Sequence, residues 1–515
     1  MSPPEENKAE IQWHQLFKPM KGMKQGAKNQ LVVARETIPI VFVPGIMGTR
    51  LKNSKGEKVW DPDDALFMLR KYGLAWRDAE DKKEMVVGKK FNENFLETYL
   101  DDEDHNEDKL EDFPGADERG WGGVSWSSYG AILTALHTQK WSPLARLCFK
   151  MPVYAFGYNW TGSNTTAGKK LKAFIDDIVE KNACEHVIIV THSMGGLVTR
   201  SACIEHGANA KVLGIVHGVQ PVTGAAAAYW RMKAGFERTN LMSIPAAWVL
   251  GTNGEEVTAL LANMPGGMQL LPSHHYTAND GSKQWLQFED HTGKQMAALP
   301  KSGDPYAEIY KEQKQYWRLV NPAFLAPGED EDSPTSAKTH WAGYTQLVDK
   351  TKAFHDRVGL SPNAETSVFY GSGKEHLTAD RVLYKLSPNG FMKKAGEFFR
   401  VIWTWEMAAA IAGGWGAAVY LGYEAITSTD WWKSRGGFEA EITLNDAKLL
   451  VTLQPPDGAG DGTVPESSGK GLKNDATGVP KIAHEPAYQD KVATDFTLQA
   501  IEKYIRGKVK KRIQG

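Results

Sequence analysis

The segment 186–199 constrains the fold more than any other part of the chain. It reads His-Val-Ile-Ile-Val-Thr-His-Ser-Met-Gly-Gly-Leu-Val-Thr. The apolar run over 186–191 predicts a buried strand, and a helix is predicted to follow from Met194. A strand that turns directly into a helix is typical of a nucleophile elbow, in which Ser193 is the nucleophile. The alternative is an ordinary buried serine in a turn.

The residues that flank Ser193 test this interpretation. A serine at so tight a turn has strained backbone dihedral angles, so its neighbours must be small. Gly195 and Gly196 meet that need, whereas the β-branched Thr191 stands where glycine is usual. The helix N-terminus beside Ser193 also favours a developing negative charge.

Strand and helix patterns alternate around this segment. Strands are predicted over 38–43, 153–156, 186–191, 212–217, 367–370 and 447–453, and helices over 168–181, 194–205 and 496–505. Alternation of this kind predicts an α/β fold with a mostly parallel sheet and helices on both faces. The hydrolase elbow makes it an α/β-hydrolase fold with large inserted lid or cap regions.

The regular pattern is interrupted twice, which suggests one sheet domain with two insertions. The predicted parts are an N-terminal arm over 1–37, the first part of the hydrolase core over 38–220, an inserted cap over 221–365, a core strand over 366–373, an inserted lid over 374–440 and the last part of the core over 441–515.

The loop after the first strand is the candidate for half of an oxyanion hole. Acyl transfer needs two backbone N–H donors aimed at the carbonyl oxygen, and one donor is worth roughly 10²–10³ in rate. Met194, the residue after the nucleophile, supplies one. Ile46 is the best candidate for the other, with Met47 as the alternative, because glycines flank both residues. A plain turn remains the other interpretation of this loop.

A serine nucleophile needs a histidine base and a carboxylate that orients it, and in this fold the order is Ser, Asp, His. Asp461 lies between glycines in Gly-Asp-Gly-Thr-Val-Pro, past a predicted strand. His484 is the only one of the 14 histidines that follows it. The alternative for Asp461 is a turn-forming Asp-Gly pair, and Asp457-Gly458 is a competing copy.

Six ordered stretches give the chain a family resemblance. They are 43–51 (Val-Pro-Gly-Ile-Met-Gly-Thr-Arg-Leu), 158–164 (Tyr-Asn-Trp-Thr-Gly-Ser-Asn), 191–196, 369–373 (Phe-Tyr-Gly-Ser-Gly), 460–465 and, more weakly, 264–272. Together they resemble the lecithin:cholesterol acyltransferase-like lipases and the related GPI-inositol-deacylase-like esterases. The family usually has Tyr-Asp-Trp-Arg where this chain has Tyr-Asn-Trp-Thr, so that loop is expected to differ.

The resemblance implies a serine-dependent hydrolase of lipid carboxylic esters, a phospholipase A or lipase that acts on membrane lipids through an acyl-enzyme. It implies a triad of Ser193, Asp461 and His484 and an oxyanion pair of Ile46 and Met194. No cofactor or metal is expected. The alternatives are acyl transfer to an alcohol and a non-catalytic lipid- or partner-binding protein on a hydrolase fold.

Partners and location follow from charge, the N-terminus and the resemblance. A formal net charge of −2 gives no reason to expect a nucleic-acid partner. The polar N-terminus lacks the apolar core of a signal peptide, so synthesis in the cytoplasm is expected. The nearest resemblance is to bacterial phospholipase effectors of type VI secretion. It implies an exported antibacterial toxin, a target-cell membrane, a cognate immunity protein and a component of the secretion apparatus.

The segment 398–426 is the candidate lid. Its part over 407–423 carries no charge and is rich in Ala and Gly, which favours a buried or interfacial helix over a membrane span. A second Ala-rich stretch, 225–230, is expected to join it. The alternative to a lid is ordinary core packing of an inserted subdomain.

Overall fold

A computed structural model describes residues 35–72, 78–88, 92–100, 110–236, 249–251, 253–328, 334–362, 365–388, 439–444, 447–472 and 475–514. The strands are β1 (Glu36–Thr37), β2 (Ile40–Val43), β3 (Leu51–Asn53), β4 (Lys58–Trp60), β5 (Leu96–Thr98), β6 (Phe149–Lys150), β7 (Val153–Ala155), β8 (Val187–His192), β9 (Val212–Gly218), β10 (Leu286–Asp290), β11 (Gln295–Leu299), β12 (Thr366–Ser372), β13 (Val382–Pro388), β14 (Glu439–Leu444), β15 (Ala447–Leu453) and β16 (Thr477–Pro480). The helices are α1 (Ala65–Tyr72), α2 (Ala79–Val86), α3 (Trp126–Thr138), α4 (Pro143–Cys148), α5 (Asn164–Lys181), α6 (Gly195–Ile204), α7 (Ala226–Ala234), α8 (Gly254–Leu261), α9 (Pro265–Met268), α10 (Pro334–Val358), α11 (Glu466–Gly469) and α12 (Lys491–Gln514).

A six-stranded sheet forms the centre of the fold. Its strand order is β16-β12-β9-β8-β2-β7, and every neighbouring pair runs parallel. Parallel strands need crossover connections, and helices such as α5 and α6 provide them between β7, β8 and β9. The predicted alternation of strands and helices is therefore present.

Both faces of this sheet are buried. Successive side chains of a strand point to opposite sides, and each side is covered by its own hydrophobic core. On one face Val41 belongs to a core that includes Leu171 of α5. On the other face Phe42 belongs to a core that includes Ile132 of α3 and Ile501 of α12. Burial on both sides explains why the central strands are continuous apolar runs rather than alternating ones.

A second sheet of five strands lies outside the central one, in the order β11-β10-β13-β15-β14. The strand predicted over 447–453 forms, but it belongs to this second sheet, where it pairs antiparallel with β13 and β14. The connection from β14 to β15 is too short for a parallel crossover, so the two form a hairpin. The last strand of the central sheet is instead β16, which the sequence analysis did not predict.

Helix α7 contains most of the Ala-rich stretch 225–230 and is buried. The indole Nε1 of Trp230 donates to the carbonyl oxygen of Gln454 at 3.0 Å. The hydroxyl groups of Tyr229 and Tyr384 are 3.1 Å apart. These contacts pack α7 against the second sheet, as expected of a core helix.

The candidate lid over 398–426 lies outside the described residues. Among the helices that are described, none has the combination of length and hydropathy that a bilayer-spanning segment needs.

The start of α6 touches the end of β2 without any side chain between them. A Cβ atom added at Gly195 would lie 2.4 Å from the carbonyl oxygens of both Val43 and Pro44. These are backbone atoms, so a larger residue could be accommodated only if the strand or the helix moved.

We therefore expect Gly195→Ala to lower the free energy of unfolding by about 1–3 kcal/mol. The matched control is Gly343→Ala in α10, where an added Cβ has no heavy atom within 4 Å. Alanine there should leave stability unchanged or raise it by up to about 1 kcal/mol. Urea unfolding of the two variants measures this, and equal stability of both would contradict the close approach.

Candidate active site

Ser193 lies at the turn between β8, which ends at His192, and α6, which begins at Gly195. Its φ of 51° is in the left-handed region, where a non-glycine residue costs on the order of 1–3 kcal/mol. The amide of Ser193 donates to the carbonyl oxygen of Gly218 at 2.9 Å, which holds this strained conformation against β9. The turn thus has the strand, the strain and the helix that were predicted for an elbow.

Thr191 occupies the position before the turn where glycine is usual. Its side chain is accommodated there because it makes a hydrogen bond to the neighbouring strand. Its Oγ1 is 2.9 Å from Nδ1 of His217 in β9. Burial, with a smaller contribution from the charge of Arg200, lowers the pKa of His217 to about 3, so that ring is neutral. The Thr191 side chain is therefore satisfied within the sheet.

Ser193, His484 and Asp461 form one continuous chain of hydrogen bonds. Oγ of Ser193 is 2.8 Å from Nε2 of His484, and Nδ1 of His484 is 2.8 Å from Oδ2 of Asp461. Asp461 is 2% exposed, and the His484 side chain is 13% exposed. The structure thus brings together the three residues that the sequence suggested.

Backbone groups hold the Asp461 carboxylate in place. Its Oδ1 accepts hydrogen bonds from the amides of Thr463 at 2.9 Å and Val464 at 2.7 Å, which leaves Oδ2 for His484. The amide of His484 also donates to the carbonyl oxygen of Asp461 at 2.9 Å. The competing Asp457 instead pairs with Arg381 at 3.1 Å and is exposed.

The loop that carries Asp461 is attached to both sheets. A Cβ atom added at Gly371 of β12 would lie 2.5 Å from Cβ of Asp461, so only glycine leaves room there. On the other side, Thr378 and Gly458 exchange two backbone hydrogen bonds of 3.0 Å each. The amide of Gly462 donates to Oγ1 of Thr378 at 2.8 Å. Thr378 precedes β13 of the second sheet.

The loop after β2 turns tightly beside Ser193. The amide of Gly48 donates to the carbonyl oxygen of Gly45 at 3.2 Å, and Met47 has a φ of 65°. A Cβ atom added at Gly45 would lie 3.0 Å from Cβ of Ser193. Ile46 is the residue between Gly45 and Met47, so the proposed donor lies in a loop that packs on the elbow.

Within the described part of the chain, neither the Ile46 amide nor the Met194 amide makes a hydrogen bond to a protein acceptor. Met194 precedes the first turn of α6 and is buried. An oxyanion hole requires backbone donors that no protein acceptor occupies, and these two amides meet that requirement.

The stretch 158–164 supports this loop from behind. Tyr158 donates its hydroxyl to the carbonyl oxygen of Pro44 at 3.0 Å, and Trp160 donates its indole N–H to that of Thr49 at 3.2 Å. Nδ2 of Asn159 donates to the carbonyl oxygen of Leu96 at 3.1 Å. The family that the sequence resembles usually has aspartate at this position, and an ionised aspartate could not donate this hydrogen bond. The contact with Leu96 therefore accounts for asparagine at position 159.

Three residues around the site were not singled out from the sequence. His192 and Tyr129 lie in a buried hydrogen-bond chain next to His484. Glu485 follows His484 directly, and burial raises the pKa of Glu485 to about 7 against the smaller opposing effects of His484 and Ser128. For His192 and Glu485, the available signal was that they are next to Ser193 and His484 in the sequence.

One comparison with solved structures, the first of the two below, supports the fold. The crystal structure of a Tle4–Tli4 complex is similar with a TM-score of 0.68 and 23% identity, over 92% of this chain and 99% of that chain. The mature form of the Bacillus licheniformis lipase BlEst2 gives a TM-score of 0.29 and 10% identity, over 92% and 94% of the two chains. The predicted α/β-hydrolase fold is confirmed.

No family model matches the chain. No curated protein matches it by sequence. The resemblance to lecithin:cholesterol acyltransferase-like lipases therefore stays a prediction.

Glu485 gives the folding stability of the chain a testable dependence on pH. Its pKa in the folded chain, about 7, exceeds the ordinary value of 4.5, so the folded state holds this proton more tightly than the unfolded state. The contribution of Glu485 to stability is therefore most favourable below pH 4.5 and falls as the pH rises to about 7.

We expect Glu485→Gln to remove the loss of stability that the wild type shows as the pH rises. The stability of the variant relative to the wild type should increase between roughly pH 5 and pH 8, as measured by urea unfolding at both values. A difference that stays constant with pH would contradict a raised pKa at Glu485.

Proposed function

We propose that the chain is a serine-dependent hydrolase of lipid carboxylic esters, a phospholipase A or lipase that works through an acyl-enzyme. The observation that carries this proposal is the unbroken hydrogen-bond chain from Ser193 through His484 to Asp461. Three side chains in this order and geometry are the machinery of nucleophilic acyl transfer.

In the proposed reaction Oγ of Ser193 attacks the ester carbonyl carbon while Nε2 of His484 takes its proton. The buried Asp461 carboxylate stabilises the imidazolium and keeps the proton on Nδ1. The amides of Ile46 and Met194 donate to the oxyanion of the tetrahedral intermediate.

Collapse of that intermediate completes acylation. His484 returns its proton to the leaving alcohol, and the acyl group remains on Ser193. A water molecule, deprotonated by the same histidine, then attacks the acyl-enzyme. The bond from the acyl carbon to Oγ of Ser193 breaks, His484 returns the proton to Oγ, and the fatty acid leaves. Every proton in this cycle passes through Nε2 of one side chain, which is only slightly exposed.

The sequence resemblance favours a lipid ester over other esters. The six sequence stretches resemble a lipase family, and five of them contribute to the site or to the loops that contact it. The similar fold is that of a protein solved as a complex of Tle4 with Tli4. With the resemblance to type VI secretion effectors, this supports an exported toxin that acts on a target-cell membrane and is bound by an immunity protein in the producing cell.

Covalent labelling tests the nucleophile. The wild-type protein should react with a fluorophosphonate probe, and Ser193→Ala should not, because the probe requires an activated serine. If the wild type is not labelled in the presence of phospholipid vesicles, the chain is not a serine hydrolase.

Product analysis tests the substrate class. Mass spectrometry of a mixed-chain phospholipid incubated with wild type should show one free fatty acid and one lysophospholipid, both absent with Ser193→Ala. Adding an acceptor alcohol distinguishes hydrolysis from transfer, since acylated alcohol in place of free acid would contradict hydrolysis.

The two neighbouring Asp-Gly pairs provide a matched test of the acid. Asp461→Asn should lower kcat by roughly 10³–10⁴, because an amide no longer holds the proton on Nδ1 of His484 or stabilises the imidazolium. Asp457→Asn should leave kcat unchanged, since Asp457 contacts Arg381 at the surface. Kinetics on a soluble ester measure both, and similar rates for the two variants would remove Asp461 from the mechanism.

A further inference from the structure

His192, the residue before the nucleophile, contacts the catalytic base rather than the solvent. It is 4% exposed. Its Nε2 is 2.8 Å from the carbonyl oxygen of His484, and its Nδ1 is 3.1 Å from the hydroxyl of Tyr129. That hydroxyl in turn accepts a hydrogen bond of 3.1 Å from the amide of Gly45. These four groups connect the loop after β2 to the backbone of the base.

The direction of each hydrogen bond in this chain follows from its chemistry. A carbonyl oxygen only accepts, so Nε2 of His192 must carry the proton. Burial, with a smaller effect from His484, lowers the pKa of His192 to about 3, so the ring holds one proton and Nδ1 is an acceptor. Tyr129 must then donate to Nδ1, which leaves its lone pairs for the Gly45 amide. Burial raises the pKa of Tyr129 far above its usual value, so the phenol keeps that proton.

We propose that His192 and Tyr129 are positioning residues that hold the backbone of the catalytic base at a fixed place relative to the oxyanion loop. This inference rests on the proposed function, because it assigns the two residues a part in the same reaction. Neither residue needs to touch the substrate. Both act through His484 and Gly45.

The backbone of His484 depends on hydrogen bonds from the site for its position. His484 lies in an irregular segment between β16 and α12, where no helix or strand ladder fixes it. Its amide is bound to Asp461 and its carbonyl to His192, so both polar groups of its backbone are fixed by the site itself. A displacement of about 1 Å in such a site costs roughly 10²-fold in rate.

The loop side of the chain is equally constrained. A Cβ atom added at Gly45 would lie 2.8 Å from Nδ1 of His192, so the loop and the imidazole are in direct contact. The rings of His192 and Tyr129 pack with centroids 5.4 Å apart, and those of His192 and His484 with centroids 5.3 Å apart. The imidazole of His192 is thus a rigid spacer between base and loop.

Tyr488 provides a matched control for Tyr129. It is equally buried, and its ring also packs on His192, with centroids 6.1 Å apart. Its hydroxyl, however, donates to the carbonyl oxygen of Thr191 at 2.9 Å and so ends on β8. Phenylalanine at either position removes one buried hydroxyl, but only Tyr129→Phe interrupts the chain to the base.

We expect Tyr129→Phe to lower both kcat on a soluble ester and the rate of fluorophosphonate labelling by roughly 10- to 100-fold, with KM unchanged. Tyr488→Phe should lose a similar amount of stability and keep the wild-type kcat. Wild-type kcat in Tyr129→Phe, or an equal loss of kcat in both variants, would overturn the positioning role.

A pair of substitutions at His192 tests the other half of the chain. His192→Phe removes both hydrogen bonds and should slow the reaction to a similar extent. His192→Gln retains an amide N–H that reaches the region of Nε2, so it should recover most of the rate. Equal loss in both variants, with both folded, would show that the bond to the His484 carbonyl does not position the base.

Nuclear magnetic resonance of protein labelled with ¹⁵N-histidine tests the geometry without any activity. The His192 signals, assigned by their absence in His192→Gln, should show the neutral Nε2–H tautomer from about pH 5 to pH 8. An Nδ1–H tautomer, or titration in that range, would overturn the hydrogen-bond chain.

The outcomes separate this inference from the proposed function. If the wild-type protein resists fluorophosphonate and cleaves no ester, the proposed function fails. If the wild type is labelled and Tyr129→Phe reacts as fast, only the positioning role fails.

Discussion

The contact between the end of β2 and the start of α6 is the constraint on which the site depends. Gly195 lies against the carbonyl oxygens of Val43 and Pro44 with no side chain between them. Because the two backbones touch, the distance from the turn of Ser193 to the loop after β2 is set by van der Waals radii rather than by adjustable side chains. The strained Ser193 and the turn at Met47 are therefore held relative to each other by a direct contact between backbone atoms.

Around this contact, the polar groups of the site are oriented mainly by backbone atoms. Two amides fix the Asp461 carboxylate, two carbonyls of the 44–49 loop accept hydrogen bonds from Tyr158 and Trp160, and the His484 carbonyl accepts one from His192. A site built in this way is already ordered before a substrate arrives, which is the condition for strong electrostatic stabilisation of a transition state.

The sequence predicted the central sheet because strands buried on both faces are recognisable as continuous apolar runs. It did not predict β16, whose Thr-Gly-Val-Pro has neither that run nor a high strand propensity. It predicted β15 as a strand but not its sheet, since an apolar pattern does not specify which strand will be the partner.

The candidate triad was suggested by residue order and by the scarcity of histidines after Asp461. Residue order alone did not choose between Asp461 and Asp457, because both precede glycine. The family resemblance of stretch 460–465 favoured Asp461, and in the folded loop it is the Asp461 carboxylate that faces His484. The position of His192 in a hydrogen-bond chain could not be predicted from the sequence, because it depends on a contact between distant parts of the chain. Its partner Tyr129 is 63 residues earlier in the chain, on a helix whose packing the sequence pattern does not reveal.

The loop of Asp461 is bound on one side to β12 of the central sheet and on the other, through Thr378, to the approach of β13 in the second sheet. Ser193 and the loop after β2, in contrast, each directly follow a strand of the central sheet. A shift of the second sheet relative to the central one would therefore act first on the Asp461 loop rather than on the turn of Ser193. The second sheet thus bears directly on one side chain of the three, and it reaches the hydrogen-bond chain at its Asp461 end.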